Sequence, residues 1–228
     1  MPRAPGAFGV LATFAGPLTG ATMQPANDIY QRRYTVEEYF ALEEQSDIRH
    51  EYYHGEIFPM DGLGPDAMAG ATFAHNTLKQ NCVMALRQGL RGGGCRVYDE
   101  NVRLDIATDE HFTYPDVLVT CHPADRAETR IVRYPSLIIE VLSGCTEARD
   151  RGWKFEQYQR LADLEQYVLI AQKRVLVESF TRTDRGTWEL TTLRQLAEVL
   201  DLTKLRLQIP LTTIYEDVVL PPLRLADM

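Results

Sequence analysis

No apolar run in this sequence approaches the ~20 residues that a membrane-spanning helix needs. Positive charge is also scarce, because 24 Lys and Arg stand against 32 Asp and Glu, a formal net charge of −8. The first absence predicts a cytoplasmic protein with no membrane partner. The second excludes a long-range attraction of the whole molecule to nucleic acid, so any nucleic-acid binding requires a local basic patch.

The sequence also has no C-x-x-C pair, which argues against a zinc ribbon and a thioredoxin-like redox site. Its four cysteines, Cys82, Cys95, Cys121 and Cys145, are 13, 26 and 24 residues apart. Such scattered positions are typical of free thiols in a reducing cytoplasm, and we expect free thiols here.

What the chain does have is the composition of a globular protein, with 45% apolar and 25% charged residues in 228. That balance is sufficient for a sizeable core. Near the N-terminus, Gly and Pro interrupt the apolar stretch. We therefore expect residues 1–28 to be a disordered N-terminal extension and residues 29–228 to form a single domain.

The order of the patterned segments predicts the fold class. Thr35 and Glu38 have capping-box spacing at the start of an amphipathic helix, and His54–Gly55 marks the turn of a following hairpin. Apolar positions at helical spacing predict a second helix from Ala71 to about Leu90. Strands are expected at 95–106, 113–120, 136–143, 166–172, 174–182 and 187–193, with a helix at about 147–161. This order predicts an α/β (α+β) fold, a mixed β-sheet flanked by helices.

Two of the predicted strands each carry one acid, Asp116 in YPDVLV (114–119) and Glu140 in LIIEVLS (137–143). A buried carboxylate without a partner costs several kcal/mol, and two carboxylates ~4 Å apart repel by roughly 4 kcal/mol at an effective dielectric near 20. A divalent cation between them reverses the sign of that interaction, and Mg²⁺ prefers such oxygen ligands. A strand-end acid paired with arginine remains the alternative for Asp116, whereas apolar residues flank Glu140 on both sides.

A Pro-Asp pair in one strand and a Glu in the next resembles the PD-(D/E)xK nuclease superfamily. More closely, residues 34–215 resemble the Uma-type restriction endonucleases. The segments that carry the resemblance include YTVEEYFAL, HEYYHGEIFPM, YPDVLV, SLIIEVLSGCT, DRGWKFEQY and EQYVLI. The resemblance implies a restriction endonuclease-like core that hydrolyses DNA phosphodiester bonds with Mg²⁺, or with Mn²⁺. It also implies that Asp116 and Glu140 are the metal ligands.

The resemblance departs from the superfamily at one position. A lysine usually follows two residues after the Glu, but Leu142 stands there. Lys154, in the predicted helix after the strand, is the candidate to replace that lysine, and the alternative is a solvated helix lysine. Glu51 matches an acid that recurs in the family's hairpin and is a further candidate catalytic residue.

Basic residues near these acids are candidates for contacts to phosphate or to the metal ligands. His75 matches a histidine that recurs early in the first core helix, although a structural role remains open. Arg149 and Arg151 lie at the start of the helix after Glu140. With a net charge of −8, we expect low affinity for DNA at physiological salt, and a homodimer would supply the two active sites needed to cut both strands.

Two other functions stay open at this level. The missing lysine and the acidic composition also fit a catalytically inactive nuclease-fold module that acts as a regulatory or partner-binding protein. A metal-dependent hydrolase of a smaller phosphoester is the third possibility. The presence of both Asp116 and Glu140 favours the endonuclease.

Overall fold

The computed structural model describes residues 28–60, 72–144 and 147–222. The chain divides into two compact units, Met1–Arg32 and Arg33–Met228. In the first unit the described residues contain one 3-10 turn, Asp28–Tyr30. The predicted disorder of residues 1–28 falls, apart from Asp28, outside the described residues. Within the three described ranges no helix is long and apolar enough to cross a membrane.

The second unit contains all the elements that follow. Its helices are α1 (Val36–Gln45), α2 (Phe73–Gly89), α3 (Pro123–Ala127), α4 (Glu147–Arg149), a π-helical turn (Asp150–Lys154), α5 (Phe155–Tyr158), a 3-10 turn (Thr203–Leu205) and α6 (Leu211–Ile214). Its strands are β1 (His50–Tyr53), β2 (Glu56–Pro59), β3 (Arg96–Asp99), β4 (Arg103–Ala107), β5 (His111–Thr113), β6 (Val117–Thr120), β7 (Ile131–Val132), β8 (Pro135–Leu142), β9 (Gln166–Ala171), β10 (Val177–Arg182), β11 (Trp188–Leu193), β12 (Val199–Leu202) and β13 (Leu207–Pro210).

The strands form two main sheets. The N-terminal sheet has the order β2-β1-β5-β4-β7, and the central sheet has the order β11-β10-β9-β8-β6-β3. In the central sheet β8 and β9 run parallel, while β6 and β8 run antiparallel. Strands β12 and β13 form a separate two-stranded sheet. The predicted mixed α+β architecture is therefore confirmed.

Helix α1 covers one face of the N-terminal sheet. Its predicted capping box is present, since Thr35 Oγ1 accepts from the Glu38 N–H at 3.2 Å and the Glu38 carboxylate accepts from the Thr35 N–H at 2.9 Å. The ring of Tyr39 stacks on Tyr52 of β1 and Phe112 of β5, with centroids 5.0 and 5.7 Å apart. This packing leaves the other face of β1 and β5 for the site described below.

Helix α2 crosses the central sheet and buries a stripe at helical spacing, Leu78, Cys82 and Leu86. Thr72 caps its N-terminus by accepting from the His75 N–H at 3.1 Å. Strand β8 lies between two layers, because Ile139 and its alternate neighbours join the α2 cluster while Ile138 and Leu142 join a second cluster with Tyr158. Burial on both faces explains the near-continuous apolar sequence of β8.

The structure differs from the predicted strand 113–120, which is broken at 114–116. Its first part, β5, belongs to the N-terminal sheet, and its second part, β6, belongs to the central sheet. Pro115 has no N–H with which to continue a ladder, and this explains the break. Asp116 therefore lies immediately before β6, at the point where the chain passes between sheets.

The expectation of four free thiols is wrong for two of them. Cys95 and Cys121 form a disulfide with an S–S distance of 2.04 Å, whereas Cys82 is free and buried. Strands β3 and β6 pair with Arg96 opposite Thr120, so the adjoining residues Cys95 and Cys121 also face each other. A separation of 26 residues along the chain does not reveal this pairing. Cys145 lies outside the described residues.

Candidate active site

The two acids predicted to share a metal lie side by side. The register of β6 and β8 pairs Val117 with Ile139, which places Asp116 opposite Glu140. The Asp116 N–H donates to Glu140 Oε2 at 3.2 Å, and the Val141 N–H donates to Asp116 Oδ2 at 2.7 Å. Each carboxylate is thus fixed by the backbone of the other strand, and both carboxylates are oriented before any ligand binds.

Lys154 reaches this pair from the π-helical turn. Its Nζ lies 3.0 Å from Glu140 Oε1, 3.1 Å from Asp150 Oδ1 and 3.9 Å from Glu51 Oε1. The side chain of Lys154 is buried, so the alternative of a solvated helix lysine is excluded. Leu142, where the superfamily has its lysine, instead packs in the apolar cluster that contains Tyr158.

Two members of this cluster were missed by the sequence analysis. Asp150 is 2% exposed and contacts Lys154, while its own backbone oxygen accepts from Tyr167 Oη at 3.0 Å. Tyr158 Oη donates to Glu140 Oε1 at 2.8 Å. Positions 150, 154 and 158 are four residues apart, a helical spacing that places them on one face. That spacing was the available signal.

Glu51 comes from the face of the N-terminal sheet that α1 does not cover. Its Oε1 accepts from Thr113 Oγ1 at 2.7 Å, and its Oε2 accepts from Arg149. The Arg149 guanidinium also lies over the ring of Trp153, 5.0 Å from its centroid. The structure therefore brings Glu51 and Arg149 to the edge of the Lys154 cluster, where each is partly neutralised by the other.

The remaining two candidates differ in position. His75 Nε2 lies 3.2 Å from Asp116 Oδ1, at the first turn of α2. Arg151 instead pairs with Glu147, at 2.9 Å, and with Glu178. His75 thus contacts a proposed metal ligand directly, while the recorded ion pairs of Arg151 are outside the cluster.

The electrostatics of the cluster shift the pKa values of Asp116 and Glu140 in opposite directions. Burial, with the nearby charges of Asp116 and Asp150, raises the pKa of Glu140 to about 8, although Lys154 opposes the shift. Burial also acts to raise the pKa of Asp116, but the hydrogen bond and charge of His75 outweigh it and lower the pKa. The two shifts run in opposite directions, so Asp116 is the more acidic member of the pair.

Lys154 keeps its charge despite its burial. Desolvation alone would lower the pKa of Lys154, but the carboxylates of Glu140, Asp150 and Glu51 raise it well above its ordinary value. A permanently protonated ammonium cannot accept a proton. Lys154 is therefore suited to stabilise negative charge and not to act as a general base.

The donor chemistry at Asp116 and Glu140 fits a hard cation. Among the described residues, no group of three or more His, Cys, Asp or Glu side chains is arranged to hold a metal ion. Mg²⁺ requires less than that, because it is commonly held by one or two carboxylates and keeps several waters. The raised pKa of Glu140 shows that its ionised form is destabilised in the protein. A nearby divalent cation would offset this, because it favours the ionised carboxylate.

A cavity of about 550 Å³ opens at the carboxyl ends of β8 and β9. Leu142, Ser143, Gln172, Lys173 and Arg174 line it, together with Glu147 and the C-terminal Pro221 and Pro222. The Gln172 side chain bonds to the Leu142 oxygen at 2.9 Å and contacts Thr72, the N-cap of α2. The lining of the cavity therefore includes the segment that follows Glu140, and Gln172 links it to Thr72 at the helix end that carries His75.

Comparisons with known proteins identify the family of this chain. The model of the Uma2 family, described as "Putative restriction endonuclease", matches residues 36–212. An uncharacterized protein of Synechocystis sp., slr1290, is 33% identical over 179 residues, which cover 78% of this chain and 90% of that protein. A second uncharacterized protein of Synechocystis sp., sll1609, is 33% identical over 162 residues, which cover 70% of this chain and 86% of that protein.

A solved structure confirms the fold. The crystal structure of a putative nuclease belonging to DUF820 from Anabaena variabilis superposes with a TM-score of 0.63. The match covers 82% of this chain and 99% of that chain at 16% identity, a level at which the likeness concerns the fold alone. The family model spans both strand acids and Lys154, and the predicted family is thereby confirmed: this chain belongs to the Uma2 family of putative restriction endonucleases.

Proposed function

We propose that this protein is a metal-dependent DNA endonuclease that hydrolyses phosphodiester bonds, with Mg²⁺, or Mn²⁺, held by Asp116 and Glu140. The observation that carries the proposal is the 3.0 Å contact between Lys154 Nζ and Glu140 Oε1. It supplies from a helical turn the lysine that is absent at position 142. The set of two acids and one lysine expected of the superfamily is then complete.

The bound cation would polarise the scissile phosphate and lower the pKa of a coordinated water. Lys154 places a fixed positive charge beside Glu140, where it stabilises negative charge that develops on the phosphoryl oxygens. Asp150 and Glu51 hold the Lys154 ammonium in place. Tyr158 fixes the orientation of the Glu140 carboxylate through its 2.8 Å hydrogen bond.

DNA would approach along the cavity that adjoins the site. Lys173 and Arg174 are exposed at its rim and provide the local basic patch that an acidic protein needs. Contacts from so few cations to the phosphate backbone give weak and salt-dependent binding. We therefore expect cleavage to be most efficient at low ionic strength.

Cleavage of supercoiled plasmid and single-stranded DNA tests the proposal, with Mg²⁺, Mn²⁺ or EDTA. The wild type should cut only with a cation. The Glu140→Gln and Lys154→Gln variants should cut at least ~100-fold more slowly, because each loses a charged group at the proposed site. Lys204→Gln should cut at the wild-type rate. Lys204 is the matched control because it is an exposed lysine paired with Glu165 and Asp184. Absence of cleavage by the folded wild type would favour the inactive module instead.

A further inference from the structure

A second cavity lies on the other side of the N-terminal sheet from the proposed active site. Successive side chains of a strand point to opposite faces. Glu51 and Thr113 bond to each other on the active-site face, whereas Tyr52 and Phe112 contact Tyr39 of α1 on the other. The cavity, of about 490 Å³, is on the α1 face and is therefore not a subsite of the nuclease centre.

Arginines dominate the charge of this cavity. Arg49, Arg103 and Arg130 line it, against Glu43 and Glu44. Arg130 pairs with Glu44 at 2.8 Å, but both side chains are more than half exposed, so the pair is easily opened. The lining has an excess of one positive charge in a protein whose net charge is −8.

Glu43 does not neutralise the arginines directly, because both its oxygens have other donors. Its Oε1 accepts from the His50 N–H at 3.0 Å and lies 2.8 Å from His50 Nδ1. Its Oε2 accepts from Tyr114 Oη at 2.5 Å. Tyr114 Oη in turn accepts from Arg103 Nε at 3.0 Å. Glu43 therefore orients Arg103 through Tyr114 and does not form a direct ion pair with it.

Arg103 is positioned in advance for a ligand. Its guanidinium lies over the rings of Tyr39, Phe40 and Tyr114, with Cζ 5.1, 4.5 and 5.6 Å from the centroids. Among the contacts recorded for the described residues, only Nε donates, and the two terminal nitrogens donate to no side chain or carbonyl. A planar guanidinium with free donors and a fixed orientation suits bidentate recognition of an oxyanion.

We propose that this cavity binds a phosphate group, held by Arg103 and Arg49. The volume of about 490 Å³ exceeds that of phosphate alone and also accommodates a substituent, so the group can belong to a phosphate ester. Free phosphate monoesters and the phosphodiester backbone of nucleic acid share this chemistry. The site stands on its own contacts and does not depend on the proposed nuclease activity.

Calorimetric titration of inorganic phosphate into the full-length protein tests the site, at constant ionic strength in chloride, with EDTA and no divalent cation. The wild type should bind one phosphate. Arg49→Gln and Arg103→Lys should each bind about tenfold more weakly, the effect of one lost charge-assisted hydrogen bond. Arg185→Gln, an exposed arginine in the β10–β11 turn, should bind as the wild type does.

Absence of binding by the wild type, or unchanged affinity in Arg49→Gln, would overturn the proposal. Arg49 is exposed, so its variant decides the question even where Arg103→Lys does not fold. If a single-stranded oligonucleotide competes with inorganic phosphate for the cavity, the natural ligand is a nucleic-acid backbone. If it does not compete, the natural ligand is a small phosphate ester. Because no divalent cation is present, an inactive nuclease centre leaves both results unaffected.

Discussion

Lys154 Nζ lies 3.0 Å from Glu140 Oε1, although the two residues are 14 positions apart and belong to a helical turn and a strand. Position 142, two residues after Glu140, is filled by a leucine that is 3% exposed. The buried lysine at the acid pair therefore comes from another element. The π-helical turn that carries it is a feature often found at functional sites.

Replacement of Lys154 by Gln should abolish cleavage and destabilise the protein by about 3–5 kcal/mol, because three buried carboxylates lose their common cation. Urea unfolding and plasmid cleavage measure the two effects. Leu142→Lys in the same background places a lysine on the Glu140 face of β8 and should restore part of both. If the double variant regains stability but no activity, the ammonium has only a structural role.

Glu140→Gln should stabilise the metal-free protein increasingly as the pH rises. The pKa of Glu140 is about 8 in the folded state, against 4.5 for a free side chain, so the folded state binds more protons between these values. The favourable contribution of Glu140 to the free energy of unfolding is therefore complete below pH 4.5 and is lost as the pH rises to 8. Glutamine avoids this loss, which is on the order of a few kcal/mol.

Melting temperatures of the two proteins between pH 5 and 9, in EDTA, measure this difference. Glu56→Gln is a suitable control, because Glu56 is exposed and pairs only with exposed Arg33 among the described residues. A Glu140→Gln variant less stable than the wild type at pH 9 would show that Glu140 serves chiefly as a structural partner of Lys154.

His111→Phe should remove a pH dependence of opposite sign. The imidazole is 1% exposed, neither ring nitrogen has a hydrogen-bond partner among the described residues, and burial lowers its pKa to about 4 from 6.5. The unfolded state binds more protons between these values, so wild-type stability falls from pH 6.5 towards pH 4. The loss, about 3 kcal/mol at most, should be absent from the variant. The unfolding free energy of both proteins is measured in urea between pH 4 and 7. The same change with pH in wild type and variant would contradict this reasoning.

Reduction of the Cys95–Cys121 disulfide should lower the free energy of unfolding by about 3.5 kcal/mol, the loop-closure value for a separation of 26 residues. Urea unfolding with and without dithiothreitol measures it. Cys95→Ser should show the lower stability without reductant and no further response to it. A wild type that does not respond to dithiothreitol would show that these thiols are already reduced.

Local sequence rules predicted the elements whose determinants lie close together in the chain. The Thr35–Glu38 capping box, the His54–Gly55 turn and the apolar stripe of α2 each depend on contacts within a few residues. The two acids could also be recognised from the sequence, because Asp116, immediately before β6, and Glu140 in β8 stand out in apolar runs that are buried on both faces. The pairing of these two acids needed only that the two predicted strands be neighbours in one sheet.

What the sequence did not reveal depends on contacts between elements. Whether Lys154 reaches Glu140 is decided by the path of a π-helical turn, and no helical periodicity predicts that turn. The four-residue spacing puts Asp150 and Tyr158 on the face of Lys154, but their contacts with Lys154 and Glu140 follow from the same placement of the turn. The Cys95–Cys121 disulfide depends on the β3–β6 register, which pattern analysis could not assign.

Calorimetric titration of Mg²⁺ and Mn²⁺ into the wild type, Asp116→Asn and Glu140→Gln tests the central claim most directly. A repeat with a non-cleavable oligonucleotide that keeps its phosphate oxygens tests whether the ion needs phosphate ligands to bind. We expect one site per chain in the wild type, release of a proton from Glu140 on binding near pH 7, and loss of binding in both variants. Equal binding by all three proteins, or none by the wild type even with the oligonucleotide, would contradict a shared metal site at Asp116 and Glu140.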